Sequence, residues 1–145
     1  MNKYCTMKDR HQAEIDAFPM FFAFSTEQFT EGMKKLELRP DETDKIRKVG
    51  TTGGFIRKTD DDAFCKMLER HEQERDDAIG SDETGEGFIF DMFSYELANH
   101  EYNYTYDTED TLDALGITQQ DLANNPALRL GLYNACAAQP ACTLY

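Results

Sequence analysis

Helix-start signals, each followed by apolar residues three or four positions apart, recur along most of this sequence. Such a pattern is typical of amphipathic helices, so it predicts a mainly helical fold. The start signals are side chains that cap a helix N-terminus, as at Ser25, Thr59 and Thr84. The predicted helices are residues 3–17, a second from Ser25 that includes Leu36, 60–79, 86–99, 108–115, a short one from Thr118, and 126–138. The long helices should build the core through Phe64, Leu68, Phe88, Met92 and Phe93.

A β pattern is convincing in one segment of the sequence. Residues 45–49 and 55–58 flank the glycine-rich residues 50–54, and this spacing predicts a hairpin. Residues 20–24 form a short apolar run that suits either a buried strand or a loop plug. Tyr102, Tyr104 and Tyr106 alternate with polar residues, which predicts a short extended segment. The length fits a single domain over residues 1–145, and the predicted class is α+β, mainly α: a compact helical domain with one small β-hairpin.

The two ends of the chain differ strongly in charge. Residues 1–60 contain 11 Lys or Arg and 10 Asp or Glu, a net charge of +1, whereas residues 61–145 contain 4 and 18, a net charge of −14. A field of this sign repels nucleic acid, attracts basic protein surfaces and speeds association with them. The simpler interpretation is a solvated acidic face that keeps the protein soluble.

The acids fall in two clusters, one around residues 72–86 and one around residues 101–121. The tyrosines at 102, 104 and 106 are either one face of a strand packed on the core or anchors of a protein interface, in which Tyr is enriched. The predicted partner-binding residues are Glu72, Glu74, Asp76, Asp77, Asp82, Glu83, Glu86, Tyr102, Tyr104, Tyr106, Asp107, Glu109 and Asp110.

A metal site is the main alternative to a binding surface. Glu96 and His100 are four residues apart on a predicted helix, so they share a face, and His71 lies on the other long helix. If these helices pack antiparallel, His71, Glu96 and His100 form a predicted zinc site, since zinc favours tetrahedral N, O and S ligands. The simpler interpretation makes His71 a packed interfacial residue and His100 a cation at a helix C-terminus.

Several classes of protein are disfavoured by the sequence. It has no nucleophile-elbow, phosphate-loop or HExxH motif, so we expect no enzyme activity. A helix-turn-helix rhythm around residues 111–118 lacks the cations that DNA binding needs, because Arg129 is the sole Lys or Arg in residues 101–145. No signal peptide or membrane-spanning run is found, so we expect an intracellular protein with reduced thiols at Cys5, Cys65, Cys136 and Cys142.

Five segments together resemble an uncharacterised family of short acidic proteins from phages and mobile elements of gut Firmicutes. They are residues 18–25 (FPMFFAFS), 53–55 (GGF), 84–93 (TGEGFIFDMF), 95–102 (YELANHEY) and 111–116 (TLDALG). The resemblance covers nearly the whole chain and implies a mobile-element accessory protein, without assigning a reaction. Small acidic phage proteins of this kind include inhibitors of host defence, among them anti-CRISPR proteins that act on type II effectors.

Two functional hypotheses follow from these observations. In the first, the protein acts in the host cytoplasm, where its acidic half occupies the basic nucleic-acid channel of a host nuclease, such as a type II RNA-guided effector, and blocks DNA loading. In this hypothesis the protein itself binds no nucleic acid directly, no membrane and no cofactor. In the second, the protein is a small zinc-binding regulator or a metal-dependent enzyme centred on Glu96 and His100.

Overall fold

The computed structural model describes residues 1–140, and their fold is α+β, mainly α. The elements are α1 (Lys3–Ala17), β1 (Met20–Phe22), α2 (Thr26–Lys35), β2 (Ile46–Val49), β3 (Gly54–Arg57), α3 (Asp61–Ser81), α4 (Phe88–Asn99), α5 (Tyr102–Thr105), α6 (Glu109–Leu115), α7 (Gln119–Asn124) and α8 (Pro126–Ala138). Short 3₁₀ helices cover Thr43–Lys45 and Lys58–Asp60. Over the described range, no helix is both long enough and apolar enough to cross a bilayer.

Contacts along the chain define two compact units. The sheet unit is residues 13–72, and the helical unit is residues 1–12 together with the chain from residue 73 onward. The boundary between them falls inside α1 and inside α3, so the chain passes from one unit to the other within these two helices. The single domain expected from the length stays a prediction.

The sheet unit holds a three-stranded antiparallel sheet with the order β1-β3-β2. The predicted hairpin is confirmed: Ile46 pairs with Arg57 and Val49 pairs with Gly54. At residues 20–24, the strand alternative is correct, because Met20 of β1 pairs with Ile56 on the other edge of β3. A strand pairing of this kind joins residues far apart in the sequence, and local patterns do not reveal it.

Both faces of this sheet are covered by apolar side chains. Neighbouring residues of a strand point to opposite faces, so Met20 and Phe21 enter different clusters. The first cluster is Met20, Ile56, Phe64 and Met67, and the second is Phe21, Met33, Leu36 and Ile46. The core prediction was wrong for Leu68, which is 40% exposed. The buried stripe of α3 runs through Phe64, Met67 and His71, and Leu68 lies at the edge of that stripe.

The helical unit is built around α4. Its buried side chains Phe88, Ile89, Met92, Phe93 and Leu97 pack with Leu112, Leu115, Leu122, Leu128 and Ala135. Two glycines allow close packing around α8. A Cβ on Gly131 would lie 2.4 Å from the Ile89 Cγ2 atom of α4, and a Cβ on Gly85, in the loop before α4, would lie 2.2 Å from the Ala127 carbonyl oxygen of α8. The broad apolar stripe predicted for this helix is therefore confirmed as the centre of a core.

One predicted conformation and several predicted boundaries differ from the structure. Residues 102–105 form the one-turn helix α5 rather than an extended segment, and it is bounded by left-handed residues, Glu101 at φ 58° and Tyr106 at φ 54°. Helix α3 continues through Gly80 to Ser81, and α4 begins at Phe88 rather than at residue 86.

Candidate functional site

Most acidic side chains predicted to bind a partner lie at the surface. The exposed ones are Glu72, Asp76, Asp77, Glu83, Glu86, Asp107, Glu109 and Asp110. Glu72 belongs to the sheet unit, and the others belong to the helical unit. Within residues 1–140, Asp76 alone among them has an ion pair, with Arg75 at 3.7 Å. The remaining carboxylates have no ion pair in this range, although Asp77 accepts a hydrogen bond from Gln73 and Asp107 accepts one from the Glu109 N–H, each at 2.8 Å.

The charge of the helical unit is far more negative than that of the sheet unit. It contains 15 Asp or Glu and 5 Lys or Arg, a net charge of −10, whereas the sheet unit contains 13 and 10, a net charge of −3. Some of the few cations are already engaged. Lys8 contacts Glu96, Arg10 contacts Glu74, and Arg129 donates to the carbonyl oxygens of Leu122 and Ala123, each at 2.7 Å. The electrostatic potential at the surface of the helical unit is accordingly mainly negative.

Glu74 is a predicted contact residue whose carboxylate is paired with two basic side chains inside the helical unit. Both guanidinium nitrogens of Arg10 donate to it, and His11 Nε2 lies 2.9 Å from its Oε2 atom. The hydrogen bond from Arg10, followed by that from His11, lowers the pKa of Glu74 to about 2. Its charge is balanced locally, so we omit it from the proposed contact surface.

The Asp82 carboxylate is also engaged, because it organises the loop before α4. Its Oδ1 atom accepts from the Thr84 hydroxyl and from the Gly85 N–H at 2.9 Å. Its Oδ2 atom accepts from the N–H groups of Gly87 at 3.1 Å and Ile89 at 3.0 Å. These donors include N–H groups at the start of α4 that no helical carbonyl reaches. Asp82, and not the predicted Thr84, therefore supplies the cap of this helix.

The acidity of Asp82 reflects two opposing effects. Its burial alone would raise the pKa, but the backbone hydrogen bonds from Ile89, Gly85 and Gly87, with that from Thr84, outweigh burial and lower the pKa below its ordinary value. The carboxylate is thus held in its charged form by the loop. We assign Asp82 a structural role and leave it out of the contact surface.

The three predicted tyrosines occupy different environments. Tyr102 packs against the helical core, and hydrogen bonding to the Cys136 thiol raises the pKa of its hydroxyl. Its ring meets the Tyr106 ring edge-on, with centroids 5.8 Å apart. Tyr104 and Tyr106 are each 63% exposed. Tyr102 therefore packs on the core, as the structural interpretation predicted, but it does so from a helix and not from a strand, whereas Tyr104 and Tyr106 are available as surface aromatics.

An apolar groove lies beside these tyrosines. Its volume is about 730 Å³, and Leu122, Leu132, Tyr133 and Cys136 are among the residues that line it. Sequence reasoning missed this groove because its walls come from α5, α7 and α8, whose packing is not encoded in local spacing. Among its lining residues, Tyr133 of α8 is a large aromatic side chain that is 73% exposed.

The Glu96–His100 pair predicted from helical spacing is formed. His100 Nε2 lies 3.5 Å from the Glu96 Oε2 atom, and the Glu96 side chain is 5% exposed. The Lys8 ammonium lies 3.1 Å from Oε1 of the same carboxylate. It also sits 5.1 Å from the centre of the Tyr95 ring and 5.7 Å from that of the Tyr4 ring. Glu96 is therefore a buried carboxylate neutralised by a lysine held between two aromatic rings.

Tyr4 completes this cluster. Burial is the main cause that raises the pKa of Tyr4 above its ordinary value, and the charge of Glu96 and a hydrogen bond to it add to the effect. The Tyr4 hydroxyl is thus kept protonated and can donate to Glu96. The arrangement stabilises α1 against α4 within the helical unit.

Removal of the lysine partner should expose this role. We expect Lys8→Met to lower the free energy of unfolding by about 2 kcal/mol, because it leaves Glu96 buried without its cation. Adding Glu96→Gln to that variant should restore part of the loss. Chemical denaturation of both single variants and of the double variant measures the coupling between them. Strictly additive losses would contradict a direct interaction between the two side chains.

The predicted zinc ligands can be followed individually. His71 is buried in the sheet unit, where its Nε2 atom lies 3.3 Å from Oε2 of Glu14, a carboxylate that also accepts from Arg70. Glu96 and His100 belong to the helical unit. Across residues 1–140, no group of three or more His, Cys, Asp or Glu side chains is arranged to hold a metal ion. The convergence of His71 with Glu96 and His100 stays a prediction.

The cysteines were predicted to be reduced. Cys5, Cys65 and Cys136 are free thiols, and Cys142 lies outside the described residues. Burial raises the pKa of the Cys136 thiol.

The chain belongs to a family of unknown function, DUF7659, whose sequence profile matches residues 3–138. No curated protein and no solved structure gives a significant match to the chain. The family description assigns no activity and names no source, so the resemblance to proteins of phages and mobile elements stays a prediction.

Proposed function

We propose that the protein is an inhibitor that binds a basic nucleic-acid-binding surface of a host defence nuclease through the acidic surface of its helical unit. The observation that carries this proposal is the set of exposed carboxylates of the helical unit, all of which except Asp76 lack an ion pair within residues 1–140, in a unit whose net charge is −10. Such a surface attracts cationic proteins over distances of about 8 Å at physiological ionic strength and repels nucleic acid.

The most specific target is a type II RNA-guided effector. Effectors of this kind hold the guide–target heteroduplex in a positively charged channel, and that channel must be vacant before DNA enters. An acidic protein bound there would block DNA loading without any chemical step. This mode requires neither a cofactor nor a catalytic group, and it places the protein's action in the host cytoplasm.

The decisive experiment is DNA cleavage by purified type II effectors, with the protein added either before or after the target DNA. We expect inhibition when the protein is added first and little inhibition when DNA is already loaded. A variant in which Asp76, Asp77, Glu83 and Glu86 are replaced by the corresponding amides should inhibit less. The proposal is wrong if cleavage by several effectors is unaffected and the protein also recovers no basic partner from host lysate.

The alternative function, a zinc-binding regulator or metal-dependent enzyme centred on Glu96 and His100, has one observation in its favour. His100 and the buried Glu96 lie within 3.5 Å of each other. A zinc ion at Glu96 would have to displace the Lys8 ammonium from 3.1 Å. Zinc bound at this place should therefore raise the melting temperature of the wild-type protein and fail to do so in His100→Ala, which a thermal melt with and without added zinc measures.

A further inference from the structure

The apolar groove continues into an acidic depression. Thr108 and Gln119 line both cavities, so the groove of about 730 Å³ and the depression of about 410 Å³ share a border. Asp107, Glu109 and Asp113 line the second cavity. The helical unit therefore presents an apolar cavity and an anionic cavity side by side.

The carboxylates of the depression are open to solvent and to a ligand. All three are exposed, and within residues 1–140 none of them has an ion pair. Asp107 uses one oxygen to accept the Glu109 N–H at 2.8 Å, and its other oxygen has no hydrogen bond in this range. A cation placed here would meet several carboxylate oxygens without having to displace an existing basic side chain.

The groove offers the complementary apolar contact. Leu122 and Leu132 line it, together with Tyr133, which is 73% exposed. A large, largely exposed tyrosine beside an apolar cavity has the composition of an interface anchor. Arg129 also lines the groove, but its Nη1 atom is held by the carbonyl oxygens of Leu122 and Ala123 at the end of α7.

We propose that this pair of cavities is a docking site for a basic segment of a protein partner, in which an apolar side chain enters the groove and a neighbouring Lys or Arg enters the acidic depression. The charge of the helical unit and the carboxylates of the depression select a cationic segment, and the groove selects one that carries an apolar residue beside its charge. The inference rests on the proposed function and deepens it, because it supplies a short-range contact that long-range attraction alone does not provide.

The test uses a short labelled peptide in which one Phe is flanked on both sides by Lys and Arg. We expect it to bind the protein and to lose at least tenfold in affinity when its Phe is replaced by Ser. Ala137→Phe, which fills the groove from an exposed position of α8, should also weaken binding at least tenfold. The matched control is Ala98→Phe, an exposed alanine of α4 that lines neither cavity, and it should change affinity less than twofold.

A second variant tests the depression. Replacing Asp107, Glu109 and Asp113 by their amides should weaken peptide binding at low salt and should reduce the dependence of affinity on salt. The inference is overturned if the peptide does not bind, or if Ala137→Phe leaves its affinity unchanged while the amide variant lowers it. Circular dichroism of each variant confirms that the fold is intact.

The same variants separate this inference from the proposed function. If the wild-type protein binds the peptide through the groove but leaves nuclease cleavage unaffected, the docking site stands and the proposed nuclease target is wrong. Suppose instead that the peptide does not bind, and that the wild-type protein and the Ala137→Phe variant inhibit cleavage equally well. The inhibitor function then stands and the docking site is wrong.

Discussion

Replacing Asp82 with alanine is expected to lower the free energy of unfolding by about 3 kcal/mol, because hydrogen bonds to a charged acceptor contribute about 1.5–3 kcal/mol and several are lost together. The carboxylate accepts from Gly85, Gly87 and Ile89, and these N–H groups would remain in the partly buried loop without a partner. Urea denaturation of the purified variant measures the loss. The neighbouring acid supplies the control: Glu83→Ala removes an equal charge from an exposed position and should change stability by less than about 0.5 kcal/mol.

The contribution of Asp82 should also depend on pH. Its pKa in the folded protein is lower than its ordinary value of 3.8, so its stabilising effect is fully present above that value. As the pH falls below 3.8 and through the folded pKa, the carboxylate gains a proton and the effect is lost. The difference in stability between the wild type and Asp82→Asn should therefore shrink over this acidic range. A difference that stays constant down to the lowest accessible pH would contradict the role of the charged form.

Helix boundaries that depend on residues close in sequence could be predicted correctly. Thr118 accepts from the Asp121 N–H at 3.1 Å, and Asp121 in turn accepts from the Thr118 N–H at 2.9 Å, so both bonds of this capping box lie within three residues. Gly116 ends α6 with φ 66°, as its position after the apolar stripe predicted. Capping residues and terminating glycines of this kind can be recognised from a few consecutive residues.

Helix boundaries that depend on contacts between residues farther apart in the sequence were not predicted. Asp82 caps α4 from seven residues before Ile89, beyond the span in which a cap is normally sought. The alternation of Tyr102, Tyr104 and Tyr106 has the period of a strand, but Tyr102 and Tyr106 are also four apart and stack edge-on across one helical turn. A short segment carries too few residues to distinguish a period of two from a spacing of four.

The candidate site shows the same division. The contact of Glu96 with His100 follows from their spacing of four on one helix, and it was predicted. The contact of Glu96 with Lys8 joins residues 88 positions apart, and it was not. Likewise, the two acidic clusters are plain in the sequence, but the structure is needed to show that Glu74 pairs with Arg10, 64 residues away, and that Asp82 accepts from N–H groups of its own loop.

Reversing four exposed acids should slow association with a basic partner by about 10-fold to 1,000-fold at low salt, the range by which electrostatic steering accelerates binding. The residues are Asp76, Asp77, Glu83 and Glu86, all exposed and all in the helical unit. Each change to Lys removes one negative charge and adds one positive charge, so the net charge of the chain rises from −13 to −5. The association rate constant with the nuclease is measured by stopped-flow mixing at several salt concentrations.

The control keeps the net charge equal and changes only its position. Glu31, Glu37, Asp41 and Asp44 are exposed acids of the sheet unit, where Lys and Arg are interspersed, and reversing them to Lys gives the same total of −5. If the partner docks on the acidic surface of the helical unit, the first variant should associate much more slowly than the control. Added salt should narrow the gap, since screening removes long-range attraction.

The comparison of these two variants separates a directed surface from a general charge effect. Equal slowing by both would mean that the partner responds to the net charge of the whole chain, and the acidic surface would then have no specific role. Slowing by the first variant alone, followed by loss of inhibition when the protein is added before DNA, would link the position of the carboxylates to the block of DNA loading. Retaining Asp82 in both variants is essential, because its reversal would disrupt the loop before α4 and obscure the result.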